Sequence, residues 1–570
     1  MKKFFEYIGL LKYKLTIVIV LKLLATIIEL FIPVLLGFII DKIVPEENIG
    51  KVFVYGGLML ICTITSLILN IIANRSASLV AKLNTEKIRH DLFKKIMYLS
   101  SKQIDSSTIP SLVSRMTSDT YYVHQMTGMM QRMGIRAPVL LIGGLVISVF
   151  INPIMTLVMV SILPFVVIAT YLVTKRSIPL FGNVQVKVDN MVRVIRENSS
   201  GSRVIKALGN EKYEIDRFKV VNDDVYKFDV IANTRMAILN PIVSFFLNLG
   251  FVLVIIMGAY LTNKNGSLMS GVINTFNAFF LIILNAIIAI TRIFISYSQA
   301  AASMVRINKI LSLEEEIKVE DLNANTKAYL KFDNVSFSYN KVKNNIEKIN
   351  FTVEEGEVLG IIGATGSGKT TLMNLLLRFY DIDDGEIVFK DKNIKSFNTG
   401  DLRKNFGTVL QNDLLFNDTV YENVNFGRNI SIEQVNFALK IARADEFVNT
   451  LTEGINTVLN PKATNLSGGQ KQRILIARAL ASLPEILILD DSSSALDYKT
   501  DYEIRNALKV NKICKTSIII SQRISSIRHA NKIILLDKGK IVGYGNHNEL
   551  LQNNHLYRKI YNIQMGETYE

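Results

Sequence analysis

The 570-residue chain has no tryptophan and only two cysteines, Cys62 and Cys514. Cysteines this far apart match no metal-binding or redox spacing and close no disulfide framework, so both are expected to be reduced and structural. With no tryptophan, any aromatic belt at a membrane interface would rest on tyrosines such as Tyr55, Tyr171 and Tyr260. A cleavable leader is not expected either. The first apolar run, residues 15–40, is too long for the apolar core of a signal peptide and has no small-residue cleavage site, so it reads as an anchor that stays. Neither an extra N-terminal peptidase domain before that run nor processing of a peptide precursor in cis is expected. Acidic residues are the scarcer charge, 50 against 65 lysines and arginines, for a formal net charge of +15. A basic balance can indicate a nucleic acid or a membrane surface. Here the basic residues gather between apolar runs, which favours membrane topology and gives no reason to expect a nucleic-acid partner.

What is present divides the chain in two. Long apolar runs crowd the first 300 residues, and the remainder has the composition of a soluble α/β protein. Six runs, near 15–40, 51–73, 132–151, 154–174, 237–262 and 268–297, are long enough to cross a ~30 Å hydrocarbon core as helices of roughly 20 residues. Residues 75–131 carry Arg75, Lys82, Lys87, Arg89, Lys94, Lys95, Lys102 and Arg115, whereas the short connections carry only Lys42, Lys51 and Lys264. Positive residues stay in the cytoplasm, so the long stretches after the second and fourth spans, and the N-terminus, are expected to be cytoplasmic. At 1.5 Å per residue, helical extensions of about 25 residues would project roughly 35–40 Å as two rigid arms. Their turns are expected near Ile109–Thr120 and Ser200–Leu208.

Several polar residues interrupt the spans: Lys22, Glu29, Asn240, Asn248, Asn274, Asn277, Asn285 and Arg292. Ionisable groups in a membrane are costly and face a partner or an aqueous cavity. Glu29 and Arg292 are the candidates for a transport pathway, Lys22 is expected to snorkel to the interface, and a purely structural role is equally open for each.

Domain boundaries follow: a membrane domain over 1–310, an acidic polar linker over 311–328, and an α/β domain over 329–570. The strongest motif lies in the last. Val358–Ile362 reads as a buried strand, Thr371–Leu377 as a helix, and between them Gly363, Ala364, Thr365, Gly366, Ser367, Gly368, Lys369 and Thr370 build G-x-x-x-x-G-K-T, with Thr371 next to it as a further candidate for binding nucleotide. The glycines let backbone N–H groups converge on phosphates, and the helix N-terminus adds positive character. Lys369 would reach the β- and γ-phosphates, and the Thr370 hydroxyl would ligate Mg²⁺. A second element, Ile486–Asp490, is an apolar strand ending in an aspartate where α/β sheets place ligands. Asp490 would hold Mg²⁺ through water. Between them lies Leu466-Ser467-Gly468-Gly469-Gln470, a second glycine-rich helix start with a hydroxyl. One chain has no use for two such surfaces on one triphosphate; two chains packed head to tail would use both.

With these motifs the chain resembles an ATP-binding cassette exporter half-transporter, a six-helix membrane domain fused to a nucleotide-binding domain. The resemblance implies ATP and Mg²⁺ as cofactors, a lipid bilayer, an amphipathic small-molecule, lipid or peptide cargo, and a second half-transporter. It implies that Tyr339 stacks on adenine, that Gln411 senses Mg²⁺ and contacts the membrane domain, and that Ser494–Asp497, with Asp497, crosses a dimer interface. Leu112–Asp119 and Glu197–Gly201 resemble the family's two coupling segments. Ser467–Gln470 would complete the ATP site of the partner.

The chain departs from the family pattern at two catalytic positions. Asp491 stands where a water-positioning glutamate is usual. The shorter side chain withdraws the carboxylate by about 1.5 Å, and a misplacement of ~1 Å can cost on the order of 10²-fold in rate. Gln522 stands where a histidine usually meets the γ-phosphate, and an amide carries no positive charge. Leu459–Ala463 also replaces a glutamate-containing segment. Binding residues kept and hydrolytic residues weakened, with an intact signature, is the pattern of the degenerate subunit in a heterodimeric bacterial exporter of the plasma membrane. An ATP-gated regulatory membrane protein and a slow homodimeric lipid flippase remain as alternatives.

Overall fold

A computed structural model describes residues 2–9, 11–265, 270–314, 319–411, 413–492, 495–511 and 514–565. It divides into two compact units: Met1–Met97 with Ile109–Leu313, and Tyr98–Thr108 with Glu314–Glu570.

The first unit is helical. Among the described residues six helical stretches are long and apolar enough to cross a membrane: Lys12–Glu46, Ile49–Met97, Ile109–Ile151, Pro153–Ser200, Glu211–Asn263 and Ser270–Leu311. Most exceed the length that a bilayer needs: the 49 residues of Ile49–Met97 reach about 75 Å, against a ~30 Å hydrocarbon core. The surplus forms the expected extensions. Between the third and fourth stretches Asn152 accepts from the N–H groups of Ile154 and Met155 at 3.1 and 3.2 Å. Pro153 fills the first helical position, where no donor is needed. The second arm breaks at Gly201, carries the short helix Ser202–Leu208, and ends on Gly209 in a left-handed conformation. That matches the expected turn.

The first arm does not. Its turn is Tyr98–Thr108, about a dozen residues before the expected site, and contains the short helix Ser101–Ser107. Residues 109–120 instead lie inside the third helical stretch, with a π-helical turn at Arg115–Asp119. Within that stretch Asp119 is buried and takes the Arg306 guanidinium on both carboxylate oxygens.

Among the intramembrane polar residues, Lys22 departs from expectation. Lys22 does not snorkel; it is 3% exposed, and its ammonium donates to Asn70 Oδ1 at 2.6 Å. Glu29 pairs with Arg136, 3.2 Å from Nε to one oxygen and 2.5 Å from Nη2 to the other. Arg292, Asn240, Asn248, Asn274 and Asn285 are exposed on the helix surfaces.

Among its described residues the second unit holds two sheets. The strands are β1 Leu330–Phe337, β2 Ile346–Val353, β3 Val358–Gly363, β4 Asp384–Phe389, β5 Lys392–Asn393, β6 Phe406–Val409, β7 Ile486–Asp490, β8 Thr516–Ile520, β9 Lys532–Asp537 and β10 Lys540–Gly545. A four-stranded antiparallel sheet runs β2-β1-β4-β5, and a six-stranded sheet runs β10-β9-β3-β8-β7-β6. In the larger sheet only the edge strand β10 is antiparallel. β7 is buried along its whole length, as a parallel strand covered on both faces must be. Register brings Ile361 of β3 beside Ile520 of β8, and Asp490 of β7 beside Ile520 from the other side. Three carboxyl ends therefore open on one edge, where α/β sheets collect ligands. A helical insertion, including Ile432–Ile441 and Gly468–Leu480, packs an apolar core against Val409 of β6 and Leu487 and Leu489 of β7.

Candidate nucleotide site

The loop after β3 is shaped by glycines that have no substitute. A Cβ on Gly363 would lie 2.2 Å from the Leu536 carbonyl oxygen. Gly368, with φ of 108°, starts the helix Lys369–Leu376 from a left-handed conformation. Lys369 folds back across this loop and donates to the carbonyls of Gly363 and Ala364 at 2.8 and 2.9 Å. Burial lowers its pKa, and the nearby Asp490 and Asp491 charges oppose that shift.

A cavity of about 210 Å³ is lined by Thr365, Gly366, Gly368, Lys369, Thr370, Thr371, Gln411, Asp490, Asp491 and Gln522. Three strand ends and one loop thus bring together residues that span more than 150 positions of sequence. Asn345, Ile520 and Ser521 complete the lining. None of these three was anticipated: Ile520 and Ser521 come with the end of β8, and Asn345 from the residue just before β2. Gly363 and Ser367 lie behind the lining. Ser367 is 3% exposed and its hydroxyl has no partner among the described residues, a costly state that an incoming acceptor would relieve.

Asp490 is 3% exposed. Burial raises its pKa, the adjacent Asp491 charge adds to the rise, and the Thr370 hydroxyl and Lys369 offset it. Thr370 Oγ1 lies 3.4 Å from Asp490 Oδ2. Among the described residues no three His, Cys, Asp or Glu side chains gather as a metal cage. A hydroxyl, a carboxylate and the Gln411 amide are nevertheless hard oxygen donors, the set Mg²⁺ takes when phosphates complete its shell. Asp491 has φ of 52°, and its N–H is held by the Ile520 carbonyl at 2.9 Å. Non-glycine residues in that region concentrate at functional sites, and aspartate tolerates it better than most.

The remaining candidates sit elsewhere. Tyr339 stands beside the helix that starts at Lys369, with its hydroxyl 3.2 Å from Asn374 Nδ2 and its ring edge-on to Tyr380 at 5.0 Å. It is 41% exposed, and so open to a flat ligand. Ser467 caps Gly468–Leu480 through a reciprocal bond with Gln470, Ser467 N–H to Oε1 at 2.8 Å and Gln470 N–H to Oγ at 3.3 Å. Ser467, Gly468, Gly469 and Gln470 are not part of the cavity lining. Asp497 accepts from the Thr500 N–H and hydroxyl at 2.9 and 2.7 Å. Those bonds lower its pKa and commit it to capping the helix Tyr498–Asn511. Ser494 lies outside the described residues.

Residues 15–287 match the family described as "ABC transporter transmembrane region", and residues 346–494 match "ABC transporter". The chain is 31% identical over 553 residues to the ABC transporter ATP-binding protein YfiB of Bacillus subtilis (strain 168), covering 96% of each. It is 30% identical over 486 residues to the ATP-dependent lipid A-core flippase of Pasteurella multocida (strain Pm70), covering 84% of this chain and 83% of that protein. The fold is that of a bacterial Atm1-family ABC exporter solved with ATP bound: TM-score 0.85, 23% identity, 97% of this chain and 99% of that one. The chain belongs to the ABC transporters. Within that family it is an exporter half-transporter, a multi-pass membrane protein that joins six membrane helices to one ATP-binding domain of an ATP-hydrolysing transporter.

Proposed function

We propose that this chain is one half of a heterodimeric exporter of amphipathic cargo, and that its own ATP site binds nucleotide but hydrolyses it slowly. The carrying observation is one cavity in which Lys369, Thr370 and Asp490 stand with Asp491 and Gln522. Lys369 would exchange the carbonyls of Gly363 and Ala364 for phosphate oxygens, and Tyr339 would take the adenine. Thr370, Asp490 and Gln411 would hold Mg²⁺, which offsets phosphate charge. Asp491 would hold the attacking water less well than a longer carboxylate, and Gln522 would meet the γ-phosphate without a positive charge. Ser467 and the N–H groups that begin Gly468–Leu480 would serve the ATP of a partner chain. The partner would carry glutamate and histidine at the two positions. In this reading residues 1–310, 311–328 and 329–570 are membrane domain, linker and nucleotide domain, and the N-terminus and nucleotide domain are cytoplasmic at a bacterial plasma membrane.

Cargo chemistry finds support in a second cavity, about 360 Å³, lined by Lys22, Glu29, Ser66, Asn70, Asn74 and Arg136 within the spanning helices. A charged lining beside apolar helix surfaces suits an amphipathic molecule with a charged head. The resemblance to flippases favours a second reading, a slow homodimeric lipid flippase. Co-purification separates the two. A tagged chain expressed with its native neighbours should bring down a different half-transporter in equal amount; recovery of a self-dimer alone that moves lipid would favour the flippase.

A further inference from the structure

The segment that carries Gln522 is held from behind by a residue 42 positions downstream. The Gln564 amide donates from Nε2 to the Gln522 carbonyl at 2.7 Å, and its Oε1 accepts the Ile524 N–H at 2.8 Å. Ile524 begins the short helix Ile524–Ile527, whose preceding residue Arg523 supplies no side-chain cap. Gln564 is therefore the cap, brought from another element. Two bonds to residues 522 and 524 fix the backbone direction between them, so the side chain of Gln522 is committed to one face, the face that lines the nucleotide cavity. The support is itself rigid. Gln564 closes the helix His555–Met565, whose Tyr557 is fully buried and bonds His547 Nδ1 at 2.9 Å. Tyr557 shares an apolar cluster with Ile524 and Ile527, and Ile560 and Tyr561 pack against that cluster.

We infer that Gln564 is a positioning residue for Gln522, so that the C-terminal helix sets how well this site distinguishes a triphosphate from a diphosphate. The inference rests on the reading that Gln522 meets the γ-phosphate. An amide fits because it donates to one backbone group and accepts from another two residues on; glutamate keeps only the acceptor, and alanine keeps neither.

The test is displacement of a fluorescent ADP analogue from the purified full chain in nanodiscs, by ATP and by ADP, with Mg²⁺ present. Gln564→Ala should weaken ATP about 3- to 10-fold, the scale of one or two lost hydrogen bonds, and leave ADP unchanged. Gln564→Glu should do the same with the fold intact, as judged by thermal unfolding. The double variant Gln522→Ala/Gln564→Ala should be no worse than Gln522→Ala alone, because the second residue acts through the first. Equal weakening of ATP and ADP, or additive losses, would overturn the inference. If Gln522→Ala itself leaves the ATP-to-ADP ratio unchanged, the reading of Gln522 fails, and the role of Gln564 fails with it.

Discussion

The Tyr380 hydroxyl donates to the Asp105 carboxylate. Burial raises the pKa of Tyr380, and the bond to Asp105 raises it further. Tyr380 also meets the Tyr339 ring edge-on, at 5.0 Å and 88°. A chain of contacts thus runs from the aromatic side chain expected to take adenine to the turn Tyr98–Thr108, which links the second and third spanning helices. Tyr380→Phe keeps the ring and removes the bond. It should leave nucleotide affinity within about fivefold, since one exposed hydrogen bond is worth ~1 kcal/mol, yet reduce cargo stimulation of ATPase. Measuring basal and cargo-stimulated turnover on one preparation checks this; equal loss of both would show that the bond serves folding only.

The same contact shows what the sequence could not reveal. Gly363–Thr371 and Asp490 were legible because their chemistry is local: a strand, a turn that only glycine fits, and a carboxylate at a strand end. The spans were legible because a bilayer demands long apolar runs. Pairings across many residues leave no such pattern. Glu29 and Arg136 are 107 positions apart, and Arg136 was missed although an intramembrane glutamate needs a cation nearby. Lys22 looked like a snorkelling residue because composition does not reveal Asn70 on the next helix. The first turn was expected near Ile109–Thr120, after the observed Tyr98–Thr108, and nothing in the sequence showed that Asp119 would be buried against Arg306, 187 residues on.

Within the membrane unit, Glu29→Gln should leave Arg136 uncompensated. The pair is partly exposed, so the cost should fall below the ~3–5 kcal/mol of a fully buried pair, at about 1–3 kcal/mol. The swap Glu29→Arg/Arg136→Glu should recover most of it. Thermal unfolding in detergent and transport into inverted vesicles check this together. Arg292→Gln, at an exposed position, should have less effect; the reverse ranking would move the pathway away from the Lys22–Glu29–Arg136 cavity.

Lys369→Ala should weaken nucleotide binding at this chain's site by about 10- to 100-fold, the value of a charge-assisted phosphate contact. Transport by the complex should fall without stopping, because the partner's site remains. Photolabelling of each chain with an ATP analogue distinguishes the two sites; unchanged labelling of this chain would remove Lys369 from the site.

Cys514 provides a pH test of the second unit. Burial pushes its thiol up to about 12, against about 8.5 for a free thiol, and only the thiolate is nucleophilic. At pH 8 the reactive fraction should be about 10³-fold lower than that of an unfolded chain. Alkylation should then rise tenfold per pH unit across pH 8–10 instead of levelling off near pH 9. Mass spectrometry of iodoacetamide-treated protein reads this directly, and a plateau near pH 9 would place Cys514 in water.

The most direct test of the weakened site is the ATP turnover at this chain's site in the complex with its partner, the partner's own site being inactivated, measured with this chain as wild type and with Asp491→Glu and Gln522→His combined. The wild-type chain should bind ATP and turn over well below once per second. Restoring both side chains should raise turnover by on the order of 10²-fold, the cost assigned to a misplaced catalytic group. A wild-type chain that turns over several times per second, with no gain from the double substitution, would contradict the account.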